Sequence, residues 1–315
     1  MTKKEKGIKI PSLTVAQRRM NALKAVLAGS VPHGVSQHDL IAACRRTSRE
    51  ALTNVHSMPK LVETVWKLEG LAGSYARKRK PDATLADHRI PRECFPVVHG
   101  GFGAVCAELV HFDIRQLVGI VETLGEPHYQ GFAYEAIGGM LRMYESGSFK
   151  MMCGMMGVIP IRAPDGPLKS GFYSTFIPFF PAAAQRPILH GYGRMVAVST
   201  NSVAAALNDA LDAPPMYLAP VVHGVGYAVG MMHSEEMARI LEHSELDYQP
   251  TIRHAFQSGL LYAMLMCDWL APAFLASWKA TGALEHKLVE KARDEAARNQ
   301  RRGRILAYQL EEPLA

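Results

Sequence analysis

The sequence predicts a mostly α-helical fold of degenerate repeats, and three observations carry that reading. A short glycine phrase recurs through the middle and end of the chain. Each copy is followed by a largely apolar run of helical length. Helical spacing of apolar or charged residues brackets the region on both sides.

Taken in order, residues 12–28 read as a first helix, with Ser12 as N-cap and Gly29 after the end. Ser36 caps a second helix, which Met58-Pro59 ends. Over residues 60–76, Leu61, Val65, Leu68 and Leu71 lie three or four apart and mark one apolar face. A basic linker, Arg77-Lys78-Arg79-Lys80, closes an N-terminal region of residues 1–82. Residues 83–284 form the glycine-rich repeat domain, and 285–315 a charged C-terminal helix and tail.

The repeat reads Val98-His99-Gly100-Gly101-Phe102-Gly103, Leu189-His190-Gly191-Tyr192-Gly193 and Val222-His223-Gly224-Val225-Gly226. Two looser copies, at Gln130-Gly131-Phe132 and Gln257-Ser258-Gly259, replace histidine with glutamine. The copies start at 99, 130, 190, 223 and 257, so the intervals are 31, 60, 33 and 34 residues. Such periods signal tandem supersecondary units. Small residues suit a helix start with a tight turn, and a polar residue just before it satisfies orphan amides. The spacing therefore predicts helices beginning near 101, 132, 192, 225 and 259. The β-branched pairs Val97-Val98 and Val221-Val222 leave room for short β segments before the turns. His99, His190 and His223 then have two readings: helix caps, or rings facing one shared centre.

Between Val158 and Pro187 six prolines and a cluster of aromatics, Phe176 among them, predict an irregular loop over the core or a binding lid. The run Met151-Met152-Cys153-Gly154-Met155-Met156 fills core space or lines an apolar pocket. Residues 285–302 read as an exposed, charge-paired helix without chemistry.

The 315 residues are 48% hydrophobic with a net charge of +6, the balance of a folded chain with a real core. The basic runs lack the interleaved aromatics of a nucleic-acid face. The five cysteines form no Cys-x-x-Cys pair and fit buried thiols in a reducing, cytoplasmic compartment. No uninterrupted apolar run reaches membrane-spanning length; His254 to Trp278 comes closest, broken by Asp268 and Pro272.

Glu135 stands out inside an apolar stretch. Burial there suits a carboxylate to general acid–base work, whereas exposure in a first helical turn makes it a partner of the helix dipole. Glu108 and His111 form one Glu-x-x-His pair on a helix face, half of what a di-iron bundle needs, so the cofactor stays open. No Walker loop, Gly-x-Ser-x-Gly elbow or His-Glu-x-x-His motif occurs.

The phrases Tyr129-Gln130-Gly131-Phe132-Ala133-Tyr134-Glu135, His190 to Gly193, His223 to Gly226 and Ser258 to Leu261 resemble those of a bacterial protein family. That family, whose activity is not established, occurs in enediyne and other polyketide gene clusters, and the resemblance covers residues 95–270. It implies a pathway and no residue roles. The first functional expectation is an enzyme or accessory enzyme of specialised metabolism holding an unsaturated polyketide- or lipid-like intermediate alongside other biosynthetic enzymes. Glu135, His190 and His223 would transfer protons, and His99, Tyr134, Phe176, Tyr192 and Gln257 would line the pocket. The alternatives are a metal- or haem-dependent oxidoreductase using the three histidines with Glu108 and His111, and a non-catalytic helical carrier or scaffold.

Overall fold

A computed structural model describes residues 35–53, 58–78, 89–110, 112–124, 126–145, 171–200, 202–305 and 308. Among them every regular element is helical and none is a strand. The helices are α1 (Gln37–Thr53), α2 (Met58–Lys78), α3 (Phe95–Leu109), α4 (Ile114–Leu124), α5 (Gln130–Glu145) and α6 (Ala182–Ser199). They continue as α7 (Val203–Ala210), α8 (Pro215–Met232), α9 (Met237–Asp247), α10 (Pro250–Leu270), α11 (Phe274–Ser277) and α12 (Ala283–Arg302).

The N-terminal expectations hold in part. Ser36 Oγ accepts from the Asp39 amide at 3.2 Å, and Asp39 accepts in return from the Ser36 amide at 3.1 Å, a reciprocal cap for α1. Met58-Pro59 opens α2 instead of ending the helix before it. Along α2, Leu61, Val65 and Leu68 are buried. The expected helix over 12–28 and the methionine run lie outside the described residues.

Four of the five glycine phrases are not helix starts. Those of α3, α6, α8 and α10 fall in mid-helix, and only Gln130 opens its helix. Val97-Val98 and Val221-Val222 are helical too, so no β segment precedes them. The glycines act instead where helices cross. Helices α2, α3, α5, α6, α8 and α10 pack each on the next, and the row curls so that α2 also meets α8 and α10. A Cβ on Gly191 would overlap the Glu135 carbonyl of α5, and one on Gly193 the Val221 carbonyl of α8. Gly224 and Gly226 face His190 on one side and Phe256 on the other, and Gly101 and Gly103 face Glu69 and Ala133. Two residues advance an α-helix by roughly 200°. A Gly-x-Gly pair therefore bares opposite sides of one helix to two neighbours at once.

The irregular segment ends by Pro181, since Pro187 lies inside α6. Helix α12 is also more than a solvated tail: Leu288, Val289 and Ala292 are buried where it packs on α10 and α9. Trp278 Nε1 and the Thr281 amide donate to its buried Glu285 at 2.9 and 2.6 Å. No helix of the described residues is long and apolar enough to cross a membrane.

Candidate functional site

The curled helix row brings together side chains from five of its members. His190 and Arg194 lie one turn apart on α6, as do His223 and Tyr227 on α8. Glu69 comes from α2, Glu135 from α5 and Tyr262 from α10. Arg194 Nη1 donates to Glu135 Oε1 at 3.2 Å and Nη2 to Glu69 Oε1 at 3.4 Å. The second Glu135 oxygen lies 3.6 Å from His190 Nδ1, beyond hydrogen-bonding range.

The two histidines are fully buried, and Glu135 is 4% exposed. The His190 and His223 rings meet edge to face with centroids 4.8 Å apart. Tyr227 and Tyr262 pack on His190 at 5.2 and 5.4 Å. Tyr308, half-buried, covers the rings at 6.0 Å from His190 and 4.7 Å from His223.

Neither ring nitrogen of His190 has a hydrogen-bond partner. Leaving a buried polar group unpaired costs roughly 1–3 kcal/mol, so such a group calls for an explanation. Burial pushes the Glu69 carboxyl above its ordinary range, against the pull of Arg194. Desolvation opposes the charge of Arg194, but Glu69 and Glu135 outweigh it and hold the guanidinium charged. Desolvation, reinforced by Glu135, raises Tyr227 and Tyr262 well above 10, so both present neutral hydroxyls.

Glu135, His190 and His223 thus converge, while the other expected site residues go elsewhere. His99 belongs to a different environment because its two nitrogens are spent on backbone. Nε2 accepts from the Glu126 amide at 3.0 Å, which leaves Nδ1 to donate to the Phe95 carbonyl at 2.9 Å. Desolvation lowers its pKa to about 4, although the Phe95 bond pulls the other way. The unfolded chain, with a histidine near 6.5, then binds more protons than the folded chain between those values, so stability rises with pH across that window and falls on acidification. In urea titrations the stability difference between wild type and His99→Gln is expected to grow from pH 4 to 6.5 and stay level above. A pH-independent difference would count against this assignment.

Tyr134, Phe176 and Tyr192 sit in a separate aromatic cluster. Tyr134 and Phe176 both contact Phe180, and Phe172 joins Phe176 to Tyr192. The Tyr134 hydroxyl is buried without a hydrogen-bond partner, so it does not serve Glu135, its chain neighbour on a different helix face. Tyr192 donates to Glu145 and carries the Arg142 guanidinium over its ring at 5.5 Å. Gln257 donates to Ser244 and Glu245 at 2.9 and 3.0 Å, tying α10 to α9. The Glu108 side chain and His111 lie outside the described residues, among which no three His, Cys, Asp or Glu groups gather as metal ligands.

Arg194, Glu69, Tyr227 and Tyr262 escaped the sequence reading. Arg194 and Tyr227 had a signal, since each stands four residues after a repeat histidine and so on its face. Glu69 had none. Comparison of the chain with protein-family models, curated proteins and solved structures finds no match.

Proposed function

We propose that the chain is an enzyme of specialised metabolism that holds an unsaturated polyketide- or lipid-like intermediate and moves a proton on it. The observation that carries this reading is the fully buried His190 ring, unpartnered at both nitrogens and flanked by the Glu135 carboxylate. In the proposal Glu135 faces Nδ1 and orients the ring, which leaves Nε2 to take a proton from the substrate. Such contacts are often long in an empty site and tighten on binding. The imidazolium so formed is balanced by Glu135, which Arg194 keeps in place. The electron pair left on the substrate moves onto a conjugated oxygen, to which a neutral tyrosine hydroxyl donates. Return of the proton at another carbon completes an isomerisation. The substrate reaches the rings by displacing Tyr308.

The pathway context rests on the family resemblance of residues 95–270, and the buried free thiols of Cys44, Cys94, Cys106 and Cys267 suit a cytoplasmic setting. The test uses the small molecule extracted from the native protein as substrate. Glu135→Gln and His190→Gln are each expected to lose about 100-fold or more in turnover with an unchanged circular dichroism spectrum. Full turnover in well-folded variants would remove these residues from the chemistry.

A further inference from the structure

Helix α12 ends in a backbone cap. The Gly303 amide donates to the Gln300 carbonyl at 3.1 Å and the Arg304 amide to the Asn299 carbonyl at 3.2 Å, with Gly303 at φ 64°. A left-handed residue closes a helix this way, and glycine adopts that conformation without strain. The turn sets Arg302 and Arg304 on the rim of an open cavity of about 440 Å³. Arg92, just before α3, reaches the same cavity and lays its guanidinium against Gly303. Phe95 and Tyr129 provide an apolar wall, their rings stacked at 5.3 Å.

The charge in this cavity is unbalanced. Three guanidiniums line it against one carboxylate, Glu126. Among the described residues no salt bridge joins Arg92, Arg302 or Arg304 to a carboxylate, and Arg304 spends one nitrogen on His128 Nδ1 at 3.0 Å. Arg298 on the same helix is different, because it pairs with Glu295. Forked guanidiniums match the geometry of phosphate oxygens, and converging arginines raise the local concentration of anions. A volume of this size accommodates a small organic molecule.

We infer that this cavity is a binding site for a soluble phosphorylated small molecule, its phosphate held by Arg92, Arg302 and Arg304 and its apolar part laid on Phe95 and Tyr129. The site stands apart from the residues of the proposed chemistry and does not depend on that reading.

The test is isothermal titration of the full chain with inorganic pyrophosphate, together with co-sedimentation on phosphatidylcholine vesicles containing phosphatidic acid. Wild type is expected to bind pyrophosphate and to stay off the vesicles. Arg92→Gln and the Arg302→Gln/Arg304→Gln pair are each expected to weaken binding tenfold or more. Arg298→Gln should leave it unchanged, and Glu126→Gln should strengthen it by removing the one opposing charge. Absence of pyrophosphate binding, equal loss in Arg298→Gln, or capture by vesicles alone would overturn the assignment.

Discussion

A chain carrying Glu69→Gln and Glu135→Gln together is expected to lose up to about 3–5 kcal/mol of stability, because Arg194, only 20% exposed, is then left without a counter-charge. Either single change leaves one carboxylate on the guanidinium and should cost less, about 1–3 kcal/mol. The informative variant is the triple one, with Arg194→Met added. Replacing a whole ion network that is mostly shielded from water by apolar or neutral groups is often neutral or stabilising. Urea denaturation of the set is therefore expected to show a deep loss in the double variant and a return to wild-type stability in the triple. A triple variant as unstable as the double would mean that these charges hold the helices together. Recovery would leave the network needing another reason to exist, which proton chemistry at His190 supplies.

Gly191→Ala is also expected to destabilise, through an unrelated cause. A methyl group there would occupy the position of the Glu135 carbonyl oxygen on α5, and backbone cannot step aside as a flexible side chain can. Overpacking typically costs about 1–3 kcal/mol, and a clash with backbone falls at the upper end, so it outweighs the helix-propensity gain of roughly 1 kcal/mol for losing glycine. Gly119 isolates the propensity effect. It lies on the exposed side of α4, and an added methyl group would meet nothing within 4 Å. Gly119→Ala should therefore stabilise by up to about 1 kcal/mol. Thermal unfolding of the two variants should move in opposite directions. A tolerated Gly191→Ala would contradict the close helix crossings.

The sequence made the helical class plain through apolar periodicity, as at Leu61, Val65 and Leu68, and through the recurring glycine phrase. It misled on where the phrase falls. Glycine before an apolar run serves a helix start and a helix crossing equally well, and only the two neighbours that Gly191 and Gly193 touch decide between them. The site was half legible for the same reason. His190, His223 and Glu135 were visible as oddities in apolar surroundings, and mid-helix placement lets the two histidines meet across the Gly224 crossing. His99 shares the phrase but not the fate, because the start of α3 and the turn at Glu126 supply backbone partners for both its nitrogens. Glu69 could not be read at all, since its partner Arg194 is 125 residues away and only the curl of the helix row joins them.

The most direct measurement is native mass spectrometry of the full chain purified from its producing cells. The wild-type protein is expected to carry one apolar small molecule, released on denaturation, while the His190→Gln chain carries less of it or an unconverted precursor. The bare chain mass in every wild-type preparation, with no molecule retained from an apolar extract of the same cells, would contradict a substrate-binding centre at His190 and Glu135.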